Sequence, residues 1–147
     1  MIGDQLCPSS WRASPGSFVG LMTLYESNYI RLRGLLGSAP EASDLGVASI
    51  PGDARLAFQV LERGPYTTLM RISYEAVDAR GRPAPAIRVR VYHDARVVEA
   101  TGVEVEREAT AMLPVDGEGL APRWARNMLL NKWLEYCRDR GYRFDAA

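Results

Sequence analysis

The side chains best able to do chemistry sit in one stretch, Val89-Arg90-Val91-Tyr92-His93-Asp94-Ala95-Arg96-Val97-Val98-Glu99, which holds the only histidine of the 147 residues. An imidazole is the side chain suited to exchanging a proton near neutrality, and catalysis asks that a base be held in reach of a group that orients it. His93 and Asp94 are therefore the first candidates for catalysis, with Asn28 as another polar group to hand. Strand geometry weighs against the pair. Successive side chains on a strand point to opposite faces, and an aspartate that opens a turn commonly turns its carboxylate to a backbone amide. No serine or cysteine is identifiable as a nucleophile for His93. The plainer reading makes His93 a satisfied residue at the rim of the core, on the face of Val91 and beside a helix end.

A binding role draws on a wider set. Arg90 and Tyr92 share a strand face beside His93 and Asp94, and Tyr66, Thr67 and Thr68 carry hydroxyls next to a Gly64-Pro65 turn. Those hydroxyls can serve a ligand or an edge-strand backbone. Arginines and aromatics on a sheet can hold bases, and Arg71, Arg88, Arg90 and Tyr92 offer that chemistry. However, Arg90 has Glu99 as a cross-strand partner, and the net charge is zero, so nucleic acid is disfavoured. Tyr25, Tyr29, Trp124, Trp133 and Tyr136 could line a pocket between helices and sheet, although aromatics at helical spacing more often build a core. One histidine with the distant Cys7 and Cys137 leaves no nitrogen–sulfur ligand set for zinc. EF-hand spacing, GxGxxG and the phosphate-binding GxxxxGK[ST] are all missing. No cofactor and no metal are expected.

The elements that must position these residues follow from periodicity. Ser14-Pro15 reads as a helix cap followed by a first-turn proline. Phe18, Leu21, Met22, Tyr25, Tyr29, Leu32 and Leu36 then form an apolar stripe, with Asn28 at its edge and Gly37 as the stop. Ser38 to Asp53, rich in Pro, Gly, Ala and Ser, reads as a loop. Leu56, Phe58 and Val60 alternate on one run and Thr68, Met70, Ile72 and Tyr74 on the next. A three-residue turn, Gly64-Pro65-Tyr66, sets Phe58 opposite Ile72, whereas a two-residue turn would set it opposite Arg71. After a loop over Asp78–Pro85, Ile87, Val89 and Val91 form a third run. A two-residue turn at Asp94-Ala95 sets Val91 opposite Val98, Val89 opposite Ala100 and Arg90 opposite Glu99. Val103 and Val105 extend that strand or leave it, and Asp116-Gly117 marks a turn. The last element is a helix from about Pro122 to Arg140, stopped by Gly141, with Ala125, Met128, Leu129, Trp133, Leu134, Tyr136 and Cys137 as its apolar face.

The expected fold is therefore α+β: an antiparallel sheet of four to five strands from two hairpins, with an N-terminal and a C-terminal helix on one face. Residues 1–14 read as a loose segment and 15–147 as one domain. Eighteen basic residues balance eighteen acidic ones, so no net field draws the chain to nucleic acid or an anionic membrane. No run reaches the ~18 apolar residues of a membrane span, and the first fourteen residues lack a secretion signal. Two well-separated cysteines fit reduced thiols. These features point to a soluble cytoplasmic protein.

Four blocks resemble the YqiB-like family of small bacterial cytoplasmic proteins, a domain of unknown function. They are Tyr25-Glu26-Ser27-Asn28-Tyr29 with Leu32 and Leu35-Leu36; Tyr66-Thr67-Thr68-Leu69; Val89 through Ala95; and Asn127 with Trp133-Leu134-Glu135-Tyr136-Cys137 and Gly141. The likeness spans residues 18 to 141, with residues 102–119 matching poorly. It implies a bacterial, cytosolic single domain and supplies no reaction.

Two functional readings follow. The first is a non-enzymatic binding or adaptor protein acting through the sheet face and hairpin around Arg90, Tyr92, His93 and Asp94, with Tyr66 and Thr67 beside them. The second is a small enzyme or small-molecule binder using His93 as acid/base in a pocket between helices and sheet. The partner is a protein or small molecule, with no membrane involved. A homo-oligomer through an uncovered sheet edge stays open.

Overall fold

The computed structural model describes residues 17–75, 80–81, 84–104 and 119–144. The element order is α1 (Phe18–Leu36), α2 (Ala39–Ala42), β1 (Leu45–Ala48), β2 (Leu56–Arg63), β3 (Thr67–Tyr74), β4 (Ala86–Tyr92), β5 (Val97–Glu104) and α3 (Leu120–Arg140). The strands form one antiparallel sheet in the order β1-β2-β3-β4-β5. This is the expected α+β arrangement, with α1 and α3 packed together at the β5 end of the sheet.

Alternation fixes both hairpins in the expected register. Phe58 faces Ile72 and Val60 faces Met70, until a bulge between Val60 and Glu62 shifts the last pairs before the turn. Val91 faces Val98, Val89 faces Ala100 and Arg90 faces Glu99. The second turn is wider than the two-residue version: β4 stops at Tyr92 and β5 starts at Val97, with the Arg96 amide bonded to Tyr92 O at 2.9 Å. Arg96 takes the left-handed conformation there, φ 57°. Val103 belongs to β5. Val105, Asp116-Gly117, Cys7 and the segment 1–14 lie outside the described residues.

Four expectations need correction. First, α1 starts at Phe18, where the Ser17 hydroxyl accepts from the Gly20 amide at 2.9 Å, and not after Ser14-Pro15. Second, its buried face is turned relative to the expected stripe. Leu21, Tyr25, Leu32 and Leu36 are inside, but Phe18 (64% exposed) and Met22 are out, and Leu24, Ser27, Asn28 and Leu35 are buried. Third, α3 starts at Leu120. Ala125, Leu129 and Tyr136 are exposed, while Arg126, Asn127, Leu130 and Asn131 join Leu134 and Cys137 inside. Fourth, residues 38–53 are not all loop, because they contain α2 and β1. Proline in the first turn starts α2. In β1, Gly46 lies over the Phe58 ring so closely that a Cβ there would sit 2.2 Å from Phe58 Cε2. That glycine interrupts the alternation that would otherwise announce the strand.

The cause of the turned helix faces is the edge of the sheet. On its free side, β5 meets side chains instead of another strand. The Ala100 amide donates to Asn127 Oδ1 at 2.7 Å, Arg126 Nε donates to Ala100 O at 2.8 Å, and Asn28 Nδ2 donates to Val98 O at 3.3 Å. The asparagines also bond one another: Asn28 Nδ2 to Asn127 Oδ1 at 3.3 Å and Asn131 Nδ2 to Asn28 Oδ1 at 3.1 Å. Buried backbone groups must be paired, so polar residues from α1 and α3 take positions that hydrophobic periodicity assigns elsewhere.

At the other end of the helix pair, a second cluster ties α3 down. Asp53 accepts from the Ala54 amide at 2.8 Å, Tyr136 OH at 3.0 Å, Arg140 Nε at 3.0 Å and Tyr74 OH. Burial would raise its carboxyl, but the Ala54, Arg140 and Tyr136 donors outweigh it and hold the group below the usual carboxylate range.

Candidate functional site

Thr68 and His93 meet where the two hairpin turns lie side by side. Thr68 pairs with Val91 across β3 and β4 and points into the helix-covered side. His93 follows Val91 by two positions and so returns to the same side, and its amide donates to Tyr66 O at 2.9 Å. Thr68 Oγ1 and His93 Nε2 then lie 2.8 Å apart, and the tautomer of the ring decides which of them donates.

This pair lines a cleft of about 290 Å³. Tyr29, Leu32, Arg33 and Leu36 of α1 wall one side, and Pro40 and Glu41 of α2 another. Met70, Val91 and Val98 of the sheet form the inner surface, and Arg63, Gly64 and Pro65 close the end. The volume lies just below the ~300–1,000 Å³ range of small-molecule pockets. Arg63 fixes α2 against the sheet. Its guanidinium donates to Asp44 Oδ1 through Nε at 3.1 Å and Nη2 at 2.8 Å, and also to the carbonyls of Pro40 and Ser43. At the solvent boundary, Arg33 Nη1 and Glu41 Oε1 stand 3.7 Å apart.

The other sequence-chosen residues are placed elsewhere. Asp94 is exposed in the turn, and among the described residues no hydrogen bond joins it to His93. Asn28 is fully buried in the β5-edge network. Arg90, Tyr92 and Thr67 occupy the opposite face of the sheet, and Tyr66 is exposed in its turn. Tyr92 OH donates to Glu99 Oε1 at 3.1 Å, and Tyr25 OH donates to Oε2 at 3.4 Å. Burial, with the Glu99 charge adding to it, pushes Tyr25 up to about 12 and raises Tyr92. Arg71 and Arg88 both donate to Glu104. Burial would raise that carboxyl, yet the Arg88 and Arg71 donors hold it low. Two of the arginines considered for holding bases are thus committed to one carboxylate.

Of the five aromatics proposed as a cage, Tyr29 alone lines the cleft. Trp133 packs on the main core, Trp124 on a separate cluster with Leu21, Leu24 and Tyr25, and Tyr136 bonds Asp53. Cys137 is fully buried, and burial followed by the Asp53 charge pushes its thiol up to about 12, so it is inert as a nucleophile. Among the described residues, no group of three or more His, Cys, Asp or Glu side chains is placed to hold a metal ion. None of the described helices is long and apolar enough to cross a membrane.

Sequence reasoning missed Arg33, Glu41 and Arg63. Each looks like an ordinary surface charge, and only the meeting of α1, α2 and β2 gives them a shared cleft.

Residues 31–143 match a protein family described as "Protein of unknown function (DUF1249)". The chain is also 30% identical over 127 residues to "Uncharacterized protein YqiB" of Escherichia coli strain K12, covering 84% of this chain and 90% of that protein. The same identity and coverage hold for the proteins of that name from Escherichia coli O6:H1 strain CFT073 and O157:H7. No solved structure matches. The span of the family match places this chain in the DUF1249 family, and the chain is similar to YqiB over nearly the whole length of that protein.

Proposed function

We propose that this protein binds a small molecule in the cleft between α1, α2 and the hairpin turns, and that it acts in the cytoplasm. The observation that carries the reading is the Thr68–His93 pair, a hydroxyl and an imidazole 2.8 Å apart at an otherwise largely apolar cleft. Such a site takes an apolar body through its walls and fixes orientation through a few convergent polar groups. A buried free thiol at Cys137 fits a reducing compartment.

Native mass spectrometry on the protein isolated gently from its host's lysate tests this. The expected result is a stoichiometric extra mass of small-molecule size, lost in Thr68→Val and His93→Ala variants that melt near wild type. A bare chain mass together with a co-purifying protein, released by Arg90→Glu or Tyr92→Ala, would overturn it in favour of docking on the open sheet face.

A second reading rests on the same distance. A separation of 2.8 Å is the reach of a general base on a hydroxyl, so His93 can serve as acid/base toward a bound ligand. It predicts that His93→Gln keeps the ligand bound and stops its conversion. Conversion at the wild-type rate would remove this reading.

A further inference from the structure

We propose that the ligand of this cleft is a compact zwitterion, with an ammonium and a carboxylate on one small head and an apolar remainder. A free α-amino acid with a bulky hydrocarbon side chain is the simplest member of that class. The inference rests on the cleft being the binding site.

The charged groups at the cleft differ in how firmly each is held. Arg63 is committed: its guanidinium serves Asp44 and two carbonyls of the α2 region. Arg33 and Glu41 are not. Their side chains are 54% and 61% exposed and 3.7 Å apart, beyond the ~2.7–2.9 Å of a good charge-assisted bond. A pair of that kind contributes at most about fivefold to an equilibrium, so a ligand can separate it at little cost. It does so without loss only if it brings both opposite charges. A carboxylate alone would satisfy Arg33 and face Glu41, and an ammonium alone would do the reverse.

Geometry limits the head further. Arg33 stands in the last turn of α1 and Glu41 in α2, two elements joined by Gly37 and Ser38, with Gly37 at a positive φ of 55°. The short connection keeps the two flexible side chains neighbours, so the ligand's two charges must lie on one compact head. A peptide carries its amine and its carboxylate at opposite ends and does not meet that condition. Behind the charges, the cleft is lined by the partly exposed Tyr29 and the exposed Pro65 over Leu32, Leu36, Met70 and Val98, which are almost fully buried, so the surface open to a ligand's remainder is mainly apolar.

The test uses four probes on the full chain, read by calorimetry and amide chemical shifts: phenylalanine, N-acetylphenylalanine, phenylalaninamide and N-acetylphenylalaninamide. Phenylalanine is expected to bind about three- to fivefold more tightly than either singly charged analogue. Arg33→Gln should bring phenylalanine down to the level of its amide. Arg33→Glu combined with Glu41→Arg should restore the preference. Equal affinity for all four probes in the cleft would overturn the zwitterion and leave the cleft as the site. A preference surviving in Arg33→Gln/Glu41→Gln would also overturn it. If none of the four binds, the zwitterion falls. The cleft reading then falls with it only if the lysate-derived protein is also bare.

Discussion

Two polar clusters lie on the helix-covered side of one sheet and behave in opposite ways. At the β5 edge, Asn28, Asn127 and Arg126 are buried and bonded to Val98 O, Ala100 N and Ala100 O. At the hairpin end, Thr68 and His93 bond each other, and Arg33 and Glu41 meet only loosely at the solvent boundary. The first cluster bonds the β5 backbone and its own members, leaving Asn131 Oδ1 without a hydrogen bond, and closes a sheet edge that would otherwise be open to another strand. The second keeps capacity for something that is not part of the chain. Polar residues inside a fold are therefore best sorted by what their atoms already touch, since burial alone would put Asn28 ahead of His93 as a site residue.

The sharpest way to break this contrast is Asn127→Ala. It strands the Ala100 amide and removes a partner of Asn28, so a loss of about 3 kcal/mol is expected in chemical denaturation. The double variant with Asn28→Ala should lose about 1 kcal/mol less than the sum of the singles, because the two share a bond. Simple additivity would mean that the network is not one unit.

Asp53 comes next, through pH. Its folded carboxyl sits below its ordinary value, so its contribution is complete above the unfolded pKa and disappears as pH falls through the folded one. Acid unfolding of Asp53→Asn should accordingly be shallower than that of wild type over that interval. Parallel profiles would show that Tyr136, Arg140 and Tyr74 do not depend on its charge.

The smallest effect belongs to His93→Ala. The side chain is exposed and holds one side-chain bond, so stability should change by no more than about 1 kcal/mol. A larger loss would return His93 to the role of a structural rim residue.

The hairpins were legible because alternation carries their register: Phe58 must face Ile72 and Val91 must face Val98 if one side is to be apolar. Placing His93 at the rim beside Val91 followed from the same parity. The helix faces were not legible. Asn28 read only as the edge of the α1 stripe, Arg126, Asn127 and Asn131 fell outside the apolar face read for α3, and only the unpaired edge of β5 explains why they are inside. β1 was hidden by Gly46, which Phe58 requires. The cleft was beyond periodicity altogether, since Thr68 and His93 are 25 positions apart and the remaining walls come from separate elements.

The sealed edge also has a consequence for the order of events at synthesis. Asn28 leaves the ribosome early, yet its partners Val98, Asn127 and Asn131 follow 70, 99 and 103 positions later. Until α3 exists, a buried Asn28 would hold amide atoms without partners, so water is its lower-free-energy surrounding. The two hairpins, whose contacts are local, need not wait. A released fragment ending before Leu120 should thus show hydrogen-exchange protection in β2–β3 and β4–β5 and little in α1. Helix α1, made well before its partners, is then among the last of the described elements to dock.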